Sequence, residues 1–460
     1  MNKQIHINGF IWYGGEDLTK KLINVTICFA ILLSLLSGCH RNGNTNSTNT
    51  IKHLTIEYYD KAYGDKWIEE IAQAYKTANP DVSISLKADS RLDQNANSIV
   101  ESYKNVPDII FVPNTNWENW ASKGYIEDLT SLFNTKVDNN TTLKNKIQPD
   151  YLTHCELNGR YWIVPWEDGV AGLLYNVDMF NNNNWSVPAT MQDFYNLLPQ
   201  IKAAGIVPLA WSGDNLGDWK NAINAWWAQT EGRDGMTDYL QMASPEVYHE
   251  QGRLDALQLY ANLIRDKSLS MDDALQSDQQ KARNMFFDSK SAMMLGGSWI
   301  KGQMGNSFPE NFNIGIMRFP SVDNAKESSI NVSVSGGFAA IPSMSKNKDL
   351  AKNFLLFMST DKMLDLYTSV TSSPRPFVYN TTGIKNLDNL GKSVLNIWQT
   401  KDNLYMFSSN PLYYSAFSDW PAGGAPLMQI ISGTTTPLQA FEDNYNYVAN
   451  NWNRGSNSSR

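Results

Sequence analysis

From Leu54 the chain alternates apolar and aromatic positions with others (Leu54, Ile56, Tyr58), turns around Gly64, then sets Trp67, Ile68, Ile71, Tyr75 and Ala78 at helical spacing as far as Asn79-Pro80. Period two returns over residues 82–86. A strand, a helix and a strand in that order predict a parallel pair joined by a right-handed crossover. The continuous run Ile109-Ile110-Phe111-Val112, opened by Pro107-Asp108, has the pattern of a strand covered on both faces. Beyond Pro165 helical spacing dominates, in Phe194, Leu197, Leu198 and Ile201, in Leu254, Leu257, Ala261 and Ile264, and in Leu350, Ala351, Phe354, Leu355 and Met358. Strand-like runs recur at 206–211, 292–295, 314–319 and 332–341. The pattern predicts an α/β fold with parallel-rich sheets flanked by helices.

The N-terminus follows another logic. Lys20 and Lys21 precede a mainly apolar run over residues 22–36, shorter than the roughly 20 residues of a spanning helix, and it ends in Leu36-Ser37-Gly38-Cys39. That arrangement reads as a secretory signal. Its ending resembles the bacterial lipobox, which implies lipidation of Cys39 and cleavage just before it. Residues 1–38 are then a lipoprotein signal peptide, and 39–50, rich in Asn, Thr, Ser and Gly, form a flexible tether. An uncleaved anchor is the alternative that the length of the run opposes.

Composition narrows the classes. Lys and Arg number 38 against 46 Asp and Glu, a formal charge of −8, which argues against a nucleic-acid binder and its basic face. Hydrophobic residues make up 42% and charged residues 18% of 460, enough apolar material for more than one core and too little charge for disorder. With Cys28 in the signal and Cys39 carrying lipid, Cys155 is left alone and no intramolecular disulfide can form.

Catalytic patterns are sparse. The histidines show no metal-ligand spacing, so no metal site is expected. Gly391-Lys392-Ser393 resembles the end of a phosphate loop but has Asn386 where that loop needs glycine, so it reads as a surface turn. No Gly-x-Ser-x-Gly elbow occurs. The adjacent carboxylates Glu167 and Asp168 point to opposite faces of an extended chain, unlike the converging pair of a glycosidase. One is expected to accept hydrogen bonds from a ligand or turn and the other to be solvated. The tryptophans say more. Trp117, Trp166, Trp211, Trp219, Trp299 and Trp420 sit beside polar or glycine residues outside helical stripes, as rings lining a cleft would. Flat rings stack on the C–H faces of sugars while Asp, Asn and Arg take the hydroxyls.

Several segments, in order, resemble the extracellular solute-binding proteins of bacterial ABC importers, in the sugar-binding group that includes the maltose-binding type. They are Pro107-Asp108-Ile109-Ile110, Gly124-Tyr125-Ile126-Glu127-Asp128-Leu129-Thr130 and Gly172-Leu173-Leu174-Tyr175-Asn176. Next come Ala292-Met293-Met294-Leu295-Gly296-Gly297-Ser298-Trp299, Gly336-Gly337-Phe338-Ala339-Ala340-Ile341-Pro342 and Lys348-Asp349-Leu350-Ala351-Lys352-Asn353-Phe354-Leu355.

The resemblance implies a two-lobed, type II periplasmic-binding-protein-like fold with hinge strands and a ligand cleft between the lobes. Lobe I would take 51–164 plus 320–340, and lobe II 165–318 plus 341–460. It implies a lipid-anchored, extracytoplasmic, monomeric receptor that needs no cofactor, binds a carbohydrate and passes it to permease subunits in the membrane. Carried over by position, the ligand contacts would be Asp60, Asn114, Trp117, Trp166, Asp168, Trp211, Asp214, Trp299 and Arg375. Gly296 and Gly297 would let the ligand approach Trp299 closely. The readings from other classes are a secreted carbohydrate-active enzyme and a surface adhesin, the first lacking convergent carboxylates and the second lacking repeats.

Overall fold

The computed structural model describes residues 51–460 apart from 103, 114–116, 139–140, 242, 267–268, 271–272, 336, 385–386, 399–402, 406–420 and 458–460. The expected signal and tether with Cys39, as well as Asn114 and Trp420, lie outside the described residues.

Strands β1 (Lys52–Tyr58), β2 (Val82–Ala88) and β3 (Ile109–Val112) form the start of a first sheet. Helix Lys66–Ala78 joins β1 to β2, which pair in parallel with Leu54 opposite Ile84, and β1 also pairs in parallel with β3. The helix turns Trp67, Ile68, Ile71 and Tyr75 onto the sheet, and β3 is buried at every position, as its unbroken apolar run requires. After a short hairpin of β4 (Glu156–Leu157) and β5 (Arg160–Tyr161), β6 (Val164–Pro165) takes the far edge of this sheet, and the chain crosses at once into β7 (Gly169–Asn176).

Strand β7 is the axis of a second sheet. It pairs antiparallel with β9 (Ser291–Gly297), β10 (Ile314–Met317) and β11 (Asn331–Ser335), while β8 (Val207–Ala210) runs parallel to β9. The chain then returns to the first sheet as β12 (Phe338–Ala340), between β3 and β6, and β13 (Asn403–Tyr405) lies on the outer side of β11. Helices Met191–Ala203, Gly217–Gly235 and Gln251–Arg265 bury Leu197, Ile223 and Leu257 in the core of the second sheet.

Three expectations need correction. The run 332–341 is two strands in different sheets, the first ending at Ser335 and the second starting at Phe338. Residues 330–335 therefore belong with the second core and not with lobe I, since Ile330 and Val332 are buried there. Helices Lys348–Met358 and Asp361–Thr371 belong with the first core rather than lobe II. Phe354 and Phe357 each meet Tyr75 at 5.1 Å, and Tyr367 meets Trp67 at 5.3 Å. The apolar stripe of a helix says that it packs, and its partner is set by the path of the chain. Finally, Gly391-Lys392-Ser393 lies inside helix Asn389–Trp398 and not in a turn. Asp388 accepts the Gly391 amide at 2.8 Å at the start of that helix, and Leu390, Val394 and Ile397 supply its buried face.

Candidate functional site

The C-terminal ends of β1 and β3 in the first sheet and of β8 and β9 in the second open onto one cavity of about 470 Å³. Such strand ends are where an α/β sheet presents loops to a ligand. From the first sheet come Tyr59, Lys61 and Ala62 after β1 and Pro113 after β3. From the second come Trp211, Ser212 and Asn215 after β8, Asp218 and Asn221 on helix Gly217–Gly235, and Gln279 and Arg283 on helix Gln279–Phe287. Trp299 and Gln303 follow β9, and Glu167 comes from the crossing between β6 and β7.

The rings are held by packing. Trp211 stands edge-on to Trp219 at 5.8 Å. Trp299 is half-buried and touches the cores of both sheets. The two β9 glycines differ: Gly296 lines the cavity, and a Cβ on it would lie 2.8 Å from Leu174, whereas Gly297 does not border it and a Cβ there would lie 2.4 Å from the Trp299 ring. Both bare faces are occupied by the protein's own side chains.

The polar groups are tuned by burial. Glu167 is 6% exposed and has its pKa raised to about 7 by desolvation, partly offset by Arg375. Its carboxyl lies against Gly337, where a Cβ would come 2.4 Å from Oε2. Asp218, which accepts from the Asn215 side chain at 3.1 Å, is raised to about 6 by desolvation, with Arg283 pulling it back. The Arg283 guanidinium donates to Gln303 at 2.8 Å and Gln279 at 3.2 Å. Burial first, then Asp93 and Glu167, raises the Tyr59 hydroxyl. The wall is thus one of rings, amides and charges partly balanced within it, suited to a polyhydroxylated solute.

Of the contacts expected from sequence, Trp211 and Trp299 line this cavity. Trp166 and Arg375 lie behind it, within a cage of aromatic rings. The guanidinium sits 3.0 Å from the Tyr367 ring centre and 4.3 Å from that of Trp166, fully buried, its nitrogens without hydrogen-bond partners among the described residues. Asp168 is fully buried, accepting from Trp398 Nε1 at 2.6 Å, so neither member of the Glu167–Asp168 pair is solvated. Trp117 packs edge-on to His154 in the first core. Asp60 accepts from Ser90 and Asp214 from the Gln279 amide, and neither borders the cavity. Sequence reasoning passed over Tyr59, Asn215, Asp218, Gln279, Arg283 and Gln303, and it left open which of Glu167 and Asp168 faces a ligand; Glu167 is the one that borders the cavity. The signal for Tyr59 and Asn215 was their place after a strand end, whereas Gln279 and Arg283 reach the cavity from a helix that no motif marks. Among the described residues no cluster of three His, Cys, Asp or Glu is placed to hold a metal.

Residues 60–364, more than half of the chain, match the family model described as bacterial extracellular solute-binding protein. The chain belongs to that family. As a member, the solute-binding protein is a receptor and not an enzyme. The multiple sugar-binding protein of Streptococcus mutans is 24% identical over 356 residues, covering 74% of this chain and 79% of the relative. A maltooligosaccharide ABC transporter solute-binding lipoprotein of Streptococcus pneumoniae is 24% identical over 373 residues, covering 77% and 80%. Among solved structures, RafE from Streptococcus pneumoniae in its apo form has a TM-score of 0.65 at 19% identity, covering 89% of this chain and 99% of that one. A chitin oligosaccharide binding protein has a TM-score of 0.65 at 17% identity, covering 86% and 99%. At such identities the structures establish the shared two-lobed fold and nothing finer.

Proposed function

We propose that this solute-binding protein captures a sugar or oligosaccharide in the cavity between its two sheets and delivers it to the permease subunits of an ABC importer. The observation that carries the reading is the wall itself, where Tyr59, Trp211 and Trp299 stand among Asn215, Asp218, Gln279, Arg283 and Gln303, contributed by loops and helices of both halves. Rings meet the C–H faces of a pyranose, and planar polar groups meet its hydroxyls. The volume lies within the range of small-ligand sites. Relatives named for sugars and maltooligosaccharides support this reading. We further propose attachment to the membrane through lipid on Cys39, supported by the residues before it and by the lipoprotein name of a relative. Cys39→Ala should abolish incorporation of labelled fatty acid, and incorporation that persists removes the anchor.

A melting screen against maltooligosaccharides, raffinose and chitin oligosaccharides tests the receptor reading. A sugar at 100 times its Kd should stabilise the protein by about 2.7 kcal/mol. Trp299→Ala should then weaken that sugar by about 2 kcal/mol, near thirtyfold. A folded protein that shifts with no saccharide, or a Trp299→Ala variant that binds as well as the parent, counts against the reading.

A further inference from the structure

Trp299 owes its position to its neighbours. Gly297 is the last residue of β9, buried and paired with Ala171 of β7. A Cβ there would stand 2.4 Å from Cη2 and Cζ3 and 2.6 Å from Cζ2 of Trp299, so the outer ring of the indole rests on the bare α-carbon. The backbone does not ask for glycine: Gly297 is not among the residues with positive φ. The three atoms nearest to a side chain there all belong to the Trp299 ring.

The ring has no room to retreat by moving its own backbone. Between the two residues, Ser298 donates its amide to the Val170 carbonyl at 3.0 Å and accepts the Val170 amide on Oγ at 3.2 Å. The same Oγ is 3.2 Å from the Tyr63 hydroxyl and accepts from Ser373 at 3.3 Å. On the other flank, a Cβ at Gly302 would come 2.1 Å from the Ala62 carbonyl oxygen, so the next turn is pressed against the first half of the molecule. With the main chain pinned on both sides, a methyl group at 297 is accommodated by rotating the indole, and the indole forms part of the cavity wall.

We propose that Gly297 is a positioning residue for the ligand, its bare α-carbon seating the Trp299 indole in the plane on which a saccharide stacks. The proposal rests on the reading of the cavity as a saccharide site and deepens it, since it says what fixes the stacking surface. A displacement of the ring by an ångström or so forfeits much of the dispersion and stacking contact, which falls steeply with separation. Substitution at 297 is therefore felt in binding, although residue 297 itself does not border the cavity.

The test is a double-mutant cycle of Gly297→Ala and Trp299→Phe on the full chain, with maltotriose and raffinose as probes. Phenylalanine lacks the three ring atoms that the methyl group meets, so it relieves the conflict. Gly297→Ala alone should weaken the bound probe by roughly tenfold or more. It should also alter the near-ultraviolet circular dichroism of the unliganded protein. In the Trp299→Phe background the same substitution should change neither. Should Gly297→Ala fold poorly, the melting temperature must recover on adding Trp299→Phe. Equal effects of Gly297→Ala in both backgrounds would place its role in the strand and overturn the proposal. So would an unchanged spectrum with unchanged binding. The spectral and melting arms need no ligand, so a parent protein that binds neither sugar counts against the choice of solute, while the seat stands or falls on those arms.

Discussion

Glu118 and Glu167 are equally buried carboxyl groups, each 6% exposed, and desolvation raises both, to about 8 and about 7. Their surroundings separate them. Glu167 borders the cavity and feels Arg375, whereas Glu118 Oε2 has no hydrogen-bond partner among the described residues. An acid whose folded pKa exceeds its unfolded value holds its proton more tightly in the native state, so the stability it contributes is whole below the unfolded value and is lost as pH rises through the folded one. For Glu118 that window runs from about 4.5 to about 8. Glu118→Gln should thus be more stable than the parent at pH 9 by on the order of a few kcal/mol, and no more stable at pH 5. Urea unfolding at the two pH values checks this, and a difference independent of pH would mean that Glu118 does not titrate in this window. Facing is also what the sequence withheld about the tryptophans. Trp117, Trp166 and Trp219 are at most 2% exposed, yet their neighbours in sequence look like those of Trp211 and Trp299. A tryptophan beside glycine or a polar residue is compatible with core and wall alike, because the choice depends on which strand end or helix carries it.

At the scale of elements, periodicity fixed what each segment is more securely than where it packs. The first strand, helix and strand, the apolar run of β3 and the helix at 348–358 stand where their spacing predicts. The run 332–341 holds two strands, but they lie in different sheets, one ending at Ser335 and the next starting at Phe338, and no period of two reports such a step. What joins the elements at the crossing is a buried node that no local motif announces. The Tyr63 hydroxyl donates to the Asp168 carbonyl at 2.8 Å, is met by Ser373 Oγ at 3.1 Å and lies 3.2 Å from Ser298 Oγ. Its four members are separated in sequence by up to 310 positions. Tyr63→Phe keeps the ring against Tyr367, 5.9 Å away, while depriving the two serines and the carbonyl of one partner. Leaving buried polar groups underserved costs about 1–3 kcal/mol. The unfolding free energy should fall by that amount, read as a lower denaturation midpoint at unchanged slope, whereas a change in slope would point to a less compact native state.

For the whole molecule, the two sheets communicate through few segments, and the cavity takes its walls from both. The chain passes between sheets at 166–168, between Ser335 and Phe338, and again between helices Asp361–Thr371 and Asn389–Trp398. A ligand touching loops of both sheets binds better where those loops are close, and so shifts the population toward the closer arrangement. Scattering should show a smaller radius of gyration at saturation with a sugar that binds. Gly302 offers a control outside the cavity wall. In this structure a Cβ there would meet backbone of the facing loop, at 2.1 Å from Ala62 O and 2.5 Å from Tyr63 Cα, and backbone does not yield as a side-chain tip does. Gly302→Val should therefore wedge the halves apart, enlarging the unliganded radius of gyration and weakening the sugar without replacing any side chain of the cavity wall. Compaction by ligand must then be smaller in the variant than in the parent. A variant that compacts to the parent's radius and binds with the parent's affinity would show that contact between Gly302 and the Ala62–Tyr63 loop plays no part in closure.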